Sequence, residues 1–334
     1  MPGRDAGRAM TDTPPLVAGE TLIDFVPETP EPLADVESFD RRAGGAPANV
    51  AVGLARLGRP PHFWTRVGTD PFGDFLATRL AEEGIPERFV ERDAEAATTL
   101  AFVSGAEEGP RFSFYRDGTA DTRFEDGTVP DDTLESTPWV HAGGVTLADE
   151  PARSATLDLL DRAADADCTV SFDPNVRPEL WANEAELATI CGWAIEETDV
   201  LIATPEELRT LGYEGEDPAA LATAVTTDGP HAVVMTMGEA GAKALSTDAA
   251  PWGQATASHG GYEVDDVDDT GAGDAFSAGL IDALARAAAR EDPSVASLED
   301  ALAFANAVAA MSTTERGAME ALPRKRDVEA FLES

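Results

Sequence analysis

From Trp139 onward, short apolar runs alternate with longer segments of helical period, and few folds accept that rhythm. The strand-like runs fall at 138–142, 168–173, 199–203 and 231–236, and the helical segments near 151–164, 184–196, 205–211 and 217–226. Continuous apolar strands separated by helices predict a doubly wound, mostly parallel sheet covered on both faces. Upstream, Leu16–Gly19 with Thr21–Asp24 reads as one buried strand ending in an acid. A helix is expected at 46–57, a strand at 63–67 and a helix at 71–83. Thr98–Ser104 and Arg111–Arg116 alternate in the β manner across Glu107, Glu108 and Gly109, which predicts a hairpin outside the alternating series. A further hairpin around 242–257 leads into two long helices at 273–289 and 298–312. The expected division is a disordered tail at 1–14, with Met10 as an alternative start, and an α/β core of 15–25, 44–96 and 125–330. Residues 26–43 and 97–124 are expected to form a small β-sheet lid.

Charge narrows the partners. Asp and Glu number 63 against 24 Lys and Arg, a formal net of −39, which repels nucleic acid and anionic membranes. The acids are spread through periodic apolar segments, so they do not mark a disordered tract. In molar salt the Debye length falls to roughly 3 Å and such self-repulsion is screened. The composition reads as a cytoplasmic protein of a salt-accumulating halophile. Cys168 and Cys191, expected to be buried and reduced, agree with that compartment. No stretch approaches the roughly 20 apolar residues of a membrane span. The four histidines, His62, His141, His231 and His259, show no metal spacing.

The chemistry concentrates at Val267-Asp268-Asp269-Thr270-Gly271-Ala272-Gly273-Asp274, which opens directly into the helical pattern Phe276, Leu280, Ile281, Leu284. The first amides of a helix lack internal partners and carry partial positive charge, and glycines let a phosphate approach them. A carboxylate there would repel a merely gripped phosphate. It has a use if it takes the proton from a hydroxyl that attacks phosphorus. Two other readings compete: an ordinary loop whose Asp caps the helix, and a dinucleotide fingerprint. The second fails because its third glycine would fall on Phe276. A P-loop is absent too, since neither Lys243 nor Lys325 follows a glycine.

Ligands of doubly wound sheets bind beyond the carboxyl ends of the strands, and the residues expected there are polar. They are Asp24, the run Gly44-Gly45-Ala46-Pro47-Ala48-Asn49, the run Asp173-Pro174-Asn175-Val176-Arg177, Thr204-Pro205-Glu206-Glu207, and Thr236-Met237-Gly238-Glu239-Ala240-Gly241.

Taken together, these segments resemble the ribokinase-like (PfkB) carbohydrate kinases, fructokinases most closely, from about Leu16 to Ala321. The resemblance implies a ribokinase-like three-layer α/β/α core with a small β-sheet lid. It implies Asp274 as general base, with the backbone of Gly271, Ala272 and Gly273 as an anion hole. Asp24, Gly44, Gly45 and Asn49 would hold the sugar, helped by Arg177, by the lid residue Arg116 and by Phe102, although Phe102, Phe112 and Phe114 are open to a role in the lid core instead. Thr236, Gly238, Gly241 and Asn306 would contact ATP. Glu207 matches the glutamate that positions Mg²⁺ through water, with Thr204 where the family carries Asn. Asp268 and the backbone of Thr270 match positions that hold a monovalent cation, K⁺ in the present expectation. The implied reaction is ATP-dependent phosphorylation of D-fructose. The alternatives are a 2-keto-3-deoxygluconate kinase, transfer to O1 as in a ketohexokinase, and a sugar-binding regulatory protein on a kinase fold. Pairing of two copies through their lids is also implied.

Overall fold

Burial alternates along the central strands, so neighbouring residues serve opposite faces of one sheet. Leu16, Ala18, Leu201, Ala203 and Val233 pack on one side, and Val17, Val200, Ile202 and Val234 on the other. This arrangement is seen in a computed structural model that describes residues 13–29, 31–104, 111–288 and 297–333.

The strands are β1 (Leu16–Ala18), β2 (Leu22–Pro27), β3 (Phe39–Gly44), β4 (His62–Gly68), β5 (Val90–Asp93), β6 (Leu100–Ser104), β7 (Arg111–Tyr115), β8 (Trp139–Gly143), β9 (Thr169–Asp173), β10 (Val200–Ala203), β11 (Ala232–Thr236), β12 (Ala242–Ser246) and β13 (Ala255–His259). The helices are α1 (Ala46–Arg56), α2 (Pro71–Glu82), α3 (Asp131–Leu134), α4 (Ala152–Asp165), α5 (Glu184–Glu196), α6 (Pro205–Thr210), α7 (Pro218–Val225), α8 (Ala272–Ala288), α9 (Leu298–Ser312), α10 (Ala318–Ala321) and α11 (Lys325–Leu332). The large sheet has the order β13-β12-β11-β10-β9-β8-β1-β4-β5 and a separate sheet the order β3-β2-β6-β7. In the large sheet the pairs from β11 through β5 are parallel, and β12 and β13 add an antiparallel edge. The residues of α1, α8 and α9 enter one core cluster and those of α4, α5 and α7 the other, giving the three layers expected.

One expectation fails at the start of the chain. Leu16–Asp24 is two strands in two sheets, not one strand ending in an acid. The chain turns out of the large sheet at Gly19–Thr21. There Glu20 accepts a hydrogen bond from Ala46 N at 3.2 Å and Thr21 Oγ1 donates to Gly44 O at 3.2 Å. Asp24 therefore lies within a strand of the small sheet, which takes residues 22–25 that the expected division assigned to the core. Strand β5 and helix α11 were not anticipated. β6 and β7 pair antiparallel as the alternation predicts. The turn between them at 105–110, and residues 1–12 of the expected tail, lie outside the described residues.

The chain passes from β1 to β4 on one side and returns to β8 on the other, so the sheet's topological switch point is at β1. The start of α1 sits over this point: a Cβ added to Gly19 would lie 2.2 Å from Pro47 Cγ, and one added to Gly143 would lie 3.0 Å from it. Among the described residues no helix is long and apolar enough to cross a membrane.

Candidate active site

A cleft of about 220 Å³ opens beyond the ends of β9, β10 and β11, and the first turn of α8 forms one of its walls. Gly271 makes the turn into α8 with φ +80°, and an added Cβ there would meet the Cβ of Ala318 at 2.6 Å. Space beside Gly273 is open, and Gly271, Gly273 and Asp274 all line the cleft. Ala272 N, expected in the anion hole, instead donates to Asp269 O at 3.1 Å within the turn, which leaves the amides of Gly271 and Gly273 at the cleft for an anion.

Asp274 is buried and accepts a hydrogen bond of 2.7 Å from Asn49 Nδ2. Burial raises its carboxyl to about 6, while the Asn49 bond and the charge of Arg177 restrain the rise. Asn49 itself stands in the first turn of α1, which begins after Gly45. Gly45 has φ +104°, and an added Cβ would lie 2.5 Å from Glu20 O, so this junction admits no side chain. At Gly44 an added Cβ would fall 1.9 Å from Asp24 Oδ2, so this glycine makes room for the carboxylate. Burial, then repulsion from Asp274 and Glu320, raises Asp24 to about 7 against the pull of Arg177 and Arg42. The expected sugar ligands Asp24, Gly44, Gly45 and Asn49 therefore do converge beside Asp274.

Arg177 lines the cleft and stacks toward Phe112 of the lid, its guanidinium carbon 5.7 Å from the ring centroid. Phe102, expected at the sugar, is turned away. Its strand register places it beside Phe25 and Ser113, whereas Asp24 pairs with Ala101. Phe102 stacks on Phe25 at 4.8 Å and meets Phe39 edge-on at 5.3 Å, on the lid face opposite Asp24, where Phe25 also meets Phe72 of α2 at 5.8 Å. Phe112, which shares the inner face with Val103, borders a cavity with Asp24 instead.

Arg116 was expected to close over substrate, yet it is buried, with Nε donating to Asp121 Oδ2 at 2.7 Å and Nη1 paired with Asp149. Those ion pairs engage Nε and Nη1 and tie the end of β7 to the core, while the buried Nη2 has no partner among the described residues. Asn306 likewise does not reach the cleft: it is buried in α9 and its Nδ2 donates to Leu302 O at 2.8 Å. An amide on an otherwise apolar helix face is satisfied most cheaply by its own preceding turn.

Thr236 lines the cleft at the end of β11. Gly238 and Gly241 shape the following turn, closed by Met237 N donating to Gly241 O at 2.8 Å. Glu207 also lines the cleft. One oxygen accepts from Val176 N at 2.9 Å, and the other accepts from Thr204 N at 2.8 Å and Thr204 Oγ1 at 3.0 Å. Thr204 in turn accepts from Glu207 N at 3.2 Å, a capping box that fixes the glutamate at the start of α6.

Asp173 was included among the strand-end residues but given no role. It lines the cleft, and burial followed by repulsion from Glu207 and Asp274 raises its carboxyl well above the usual range. Behind the cradle, Asp268 accepts from Thr270 N at 3.1 Å and from Gly317 N at 2.9 Å. These bonds overcome burial and hold its carboxyl below the usual range, so it stays charged. His141 is buried between β8 and β9, bonded to Ser171 Oγ at 2.9 Å, and burial lowers it to about 4. It is a neutral structural group.

The raised carboxyl of Asp274 sets a pH dependence for any step that needs it charged. Turnover is expected to fall about tenfold per pH unit well below pH 6, as Asp274 takes a proton. The sign for stability is opposite to that of a salt-bridged acid. Between pH 3.8 and about 6 the folded chain keeps a proton that the unfolded chain releases, so this group's contribution weakens as pH rises. A pH series of initial rates beside a pH series of melting temperatures separates the two effects.

A carboxylate aimed into a cleft whose wall is a helix N-terminus belongs with enzymes that move a phosphoryl group to a hydroxyl. A family model for pfkB family carbohydrate kinases matches residues 15–325, and the chain belongs to that family. It is 38% identical over 336 residues to "Probable fructokinase-6, chloroplastic" of Arabidopsis thaliana, covering 95% of this chain and 82% of that protein. The fold superimposes with a TM-score of 0.82 on a fructokinase with bound ATP from Xylella fastidiosa, at 31% identity and covering 96% of this chain and 98% of that one. A fructokinase from Vibrio cholerae in a form with fructose, ADP and calcium bound gives 0.79 at 31% identity, covering 96% and 99%.

Proposed function

We propose that this carbohydrate kinase transfers the γ-phosphoryl group of ATP to D-fructose. The observation that carries the chemistry is the buried Asp274, held at 2.7 Å by Asn49 beside the open amides of Gly271 and Gly273. A sugar hydroxyl placed between Asp24 and Asp274 gives its proton to Asp274 as its oxygen bonds to the γ-phosphorus. The bond from that phosphorus to the bridging oxygen breaks and ADP leaves. Charge on the transferred group is met by the amides of Gly271 and Gly273, which line the cleft. The relatives named above support fructose as the acceptor.

The repulsion of Asp173 by Glu207 fits a divalent cation arriving with the nucleotide. These carboxylates would hold Mg²⁺ largely through water, where it would offset phosphate charge, since the described residues preassemble no cluster of three or more ligands. The charged Asp268, with the backbone of Thr270, fits a K⁺ that would stiffen the turn from behind. The net charge of −39 fits a cytoplasm rich in salt. Pairing of two copies through the lids belongs to the same reading.

A coupled ADP-release assay in molar KCl against fructose, 2-keto-3-deoxygluconate and ribose tests the substrate. Fructose is expected to give the highest kcat/KM, and a higher value with either other sugar overturns the assignment. Replacing KCl with NaCl at equal ionic strength is expected to lower the rate, and transfer to dilute buffer to unfold the chain. Equal rates in both salts would remove the K⁺ role. A chain that stays folded and active without salt would remove the halophilic one.

A further inference from the structure

Arg42 was assigned no role from the sequence, yet it occupies the lid side of the sugar pocket. Strands β2 and β3 pair Asp24 directly with Arg42, so both side chains leave the same face of the lid. That face also carries Val26, Val103 and Phe112, and all of these border one small cavity with Asp268 and Thr270. The cavity lies between the lid and the glycine-rich turn of α8.

The guanidinium is positioned from the opposite wall. A Cβ added to Gly317 would lie 2.5 Å from Arg42 Nη1, 2.9 Å from Glu320 Oε2 and 3.5 Å from Arg42 Cζ, so the group rests against the backbone of Gly317 with the Glu320 carboxylate close by. Gly317 N is the amide that bonds Asp268, which places Arg42 beside the segment that braces the anion cradle. Its one ion pair among the described residues is a 4.0 Å contact with the exposed Asp40. A guanidinium has five N–H donors in a planar fork, and that contact leaves the fork largely unspent at the pocket edge. The side chain is mostly buried, 21% exposed, so its donors face the pocket more than bulk water.

A polyol needs donors as well as acceptors. The cavity is lined by the acids Asp24 and Asp268, Asp24 also feels Asp274 and Glu320, and Arg42 and Arg177 are the cations that counter these charges at Asp24. Arg177 comes from the core at the cleft wall and Arg42 from the lid. Building on the sugar-kinase reading of this site, we propose that Arg42 is a substrate-contacting residue, donating hydrogen bonds to the sugar hydroxyls that Asp24 accepts from. Asp24 and Arg42 then form a paired acceptor and donor on adjacent strands, which recognises neighbouring hydroxyls of a ketose from the lid side.

Steady-state kinetics with fructose, on the wild type and on Arg42→Met, Arg42→Gln and Asp24→Asn in molar KCl, test this. Loss of hydrogen bonds from a charged donor is expected to raise KM for fructose about 10- to 100-fold in Arg42→Met. KM for ATP should stay within about twofold and kcat within about threefold, because Arg42 is assigned to the sugar and not to the transferred phosphoryl group. Arg42→Gln, which keeps an amide donor, should fall between the two. It also supplies the measurement if the Met variant does not fold. Fructose should raise the melting temperature of the wild type more than that of either variant. An unchanged KM in both Arg42 variants, with a raised KM in Asp24→Asn, overturns the proposal alone. A fall in kcat at constant KM also overturns it, since that places Arg42 on the phosphoryl group. If Asp24→Asn leaves fructose kinetics unchanged too, the sugar-site reading itself fails.

Discussion

Asp274→Asn is expected to lower kcat by about 10²–10⁴ while KM for ATP changes little. The substitution keeps the size of the side chain and a partner for Asn49, so the loss reports the missing base and not a collapsed site. The amides around Gly271 and Gly273 stay in place, so ATP binding is preserved. The residual rate should lose its dependence on a group near pH 6, because that group is the one removed. Measuring kcat and both KM values across pH checks all three parts. A variant with kcat within about threefold of the wild type would show that another group takes the proton.

Arg116→Leu is expected to cost about 3–5 kcal/mol of folding stability, a large share of what a domain typically has. Asp121 is 1% exposed and receives Arg116 Nε at 2.7 Å, while Thr119 Oγ1 donates to its other oxygen at 2.9 Å and Thr99 Oγ1 to the same oxygen. Leucine fills much of the volume but leaves a buried carboxylate without its cation. Arg116 also restrains Glu20, which burial raises to about 8 and which accepts the first amide of α1. Urea denaturation in molar KCl gives the difference directly. Pairing the change with Asp121→Asn should recover a large part of the loss, since removing both charges is cheaper than stranding one. A loss below about 1 kcal/mol would mean that the ion pair is dispensable.

These cases show how far residue type alone reaches. Asp274 is legible because a carboxylate at the mouth of a glycine-rich helix start is chemically unusual, and the few residues from Asp268 to Asp274 carry that whole argument. Asn49 is legible as a polar residue in a first helical turn, but its bond to Asp274 spans 225 positions and no local pattern contains it. Phe102 and Phe112 are aromatic, in strands and near the lid in equal measure. The cross-strand register, which pairs Phe102 with Ser113 and Val103 with Phe112, decides which ring borders the cavity with Asp24. A strand's period of two says that neighbours diverge, not which face looks inward. Arg116 and Arg42 exchange their expected importance for the same reason. One is buried against Asp121 and held there, while the other lies against the glycine backbone of Gly317 at the edge of a cavity.

The alternation of strands and helices, read without any tertiary information, determined the layered sheet, and the strand ends and the glycine-rich helix start at 271–274 that it picked out border one cleft. Those are consequences of periodicity, capping and backbone geometry, which act over a few residues. Tertiary structure alone decided that Asp24 belongs to the lid, that Arg116 is buried, that Asn306 turns into its own helix, and that Arg42 faces the pocket. Each depends on which distant group lies opposite, and burial then fixes whether a charge is spent on the fold or left for a ligand.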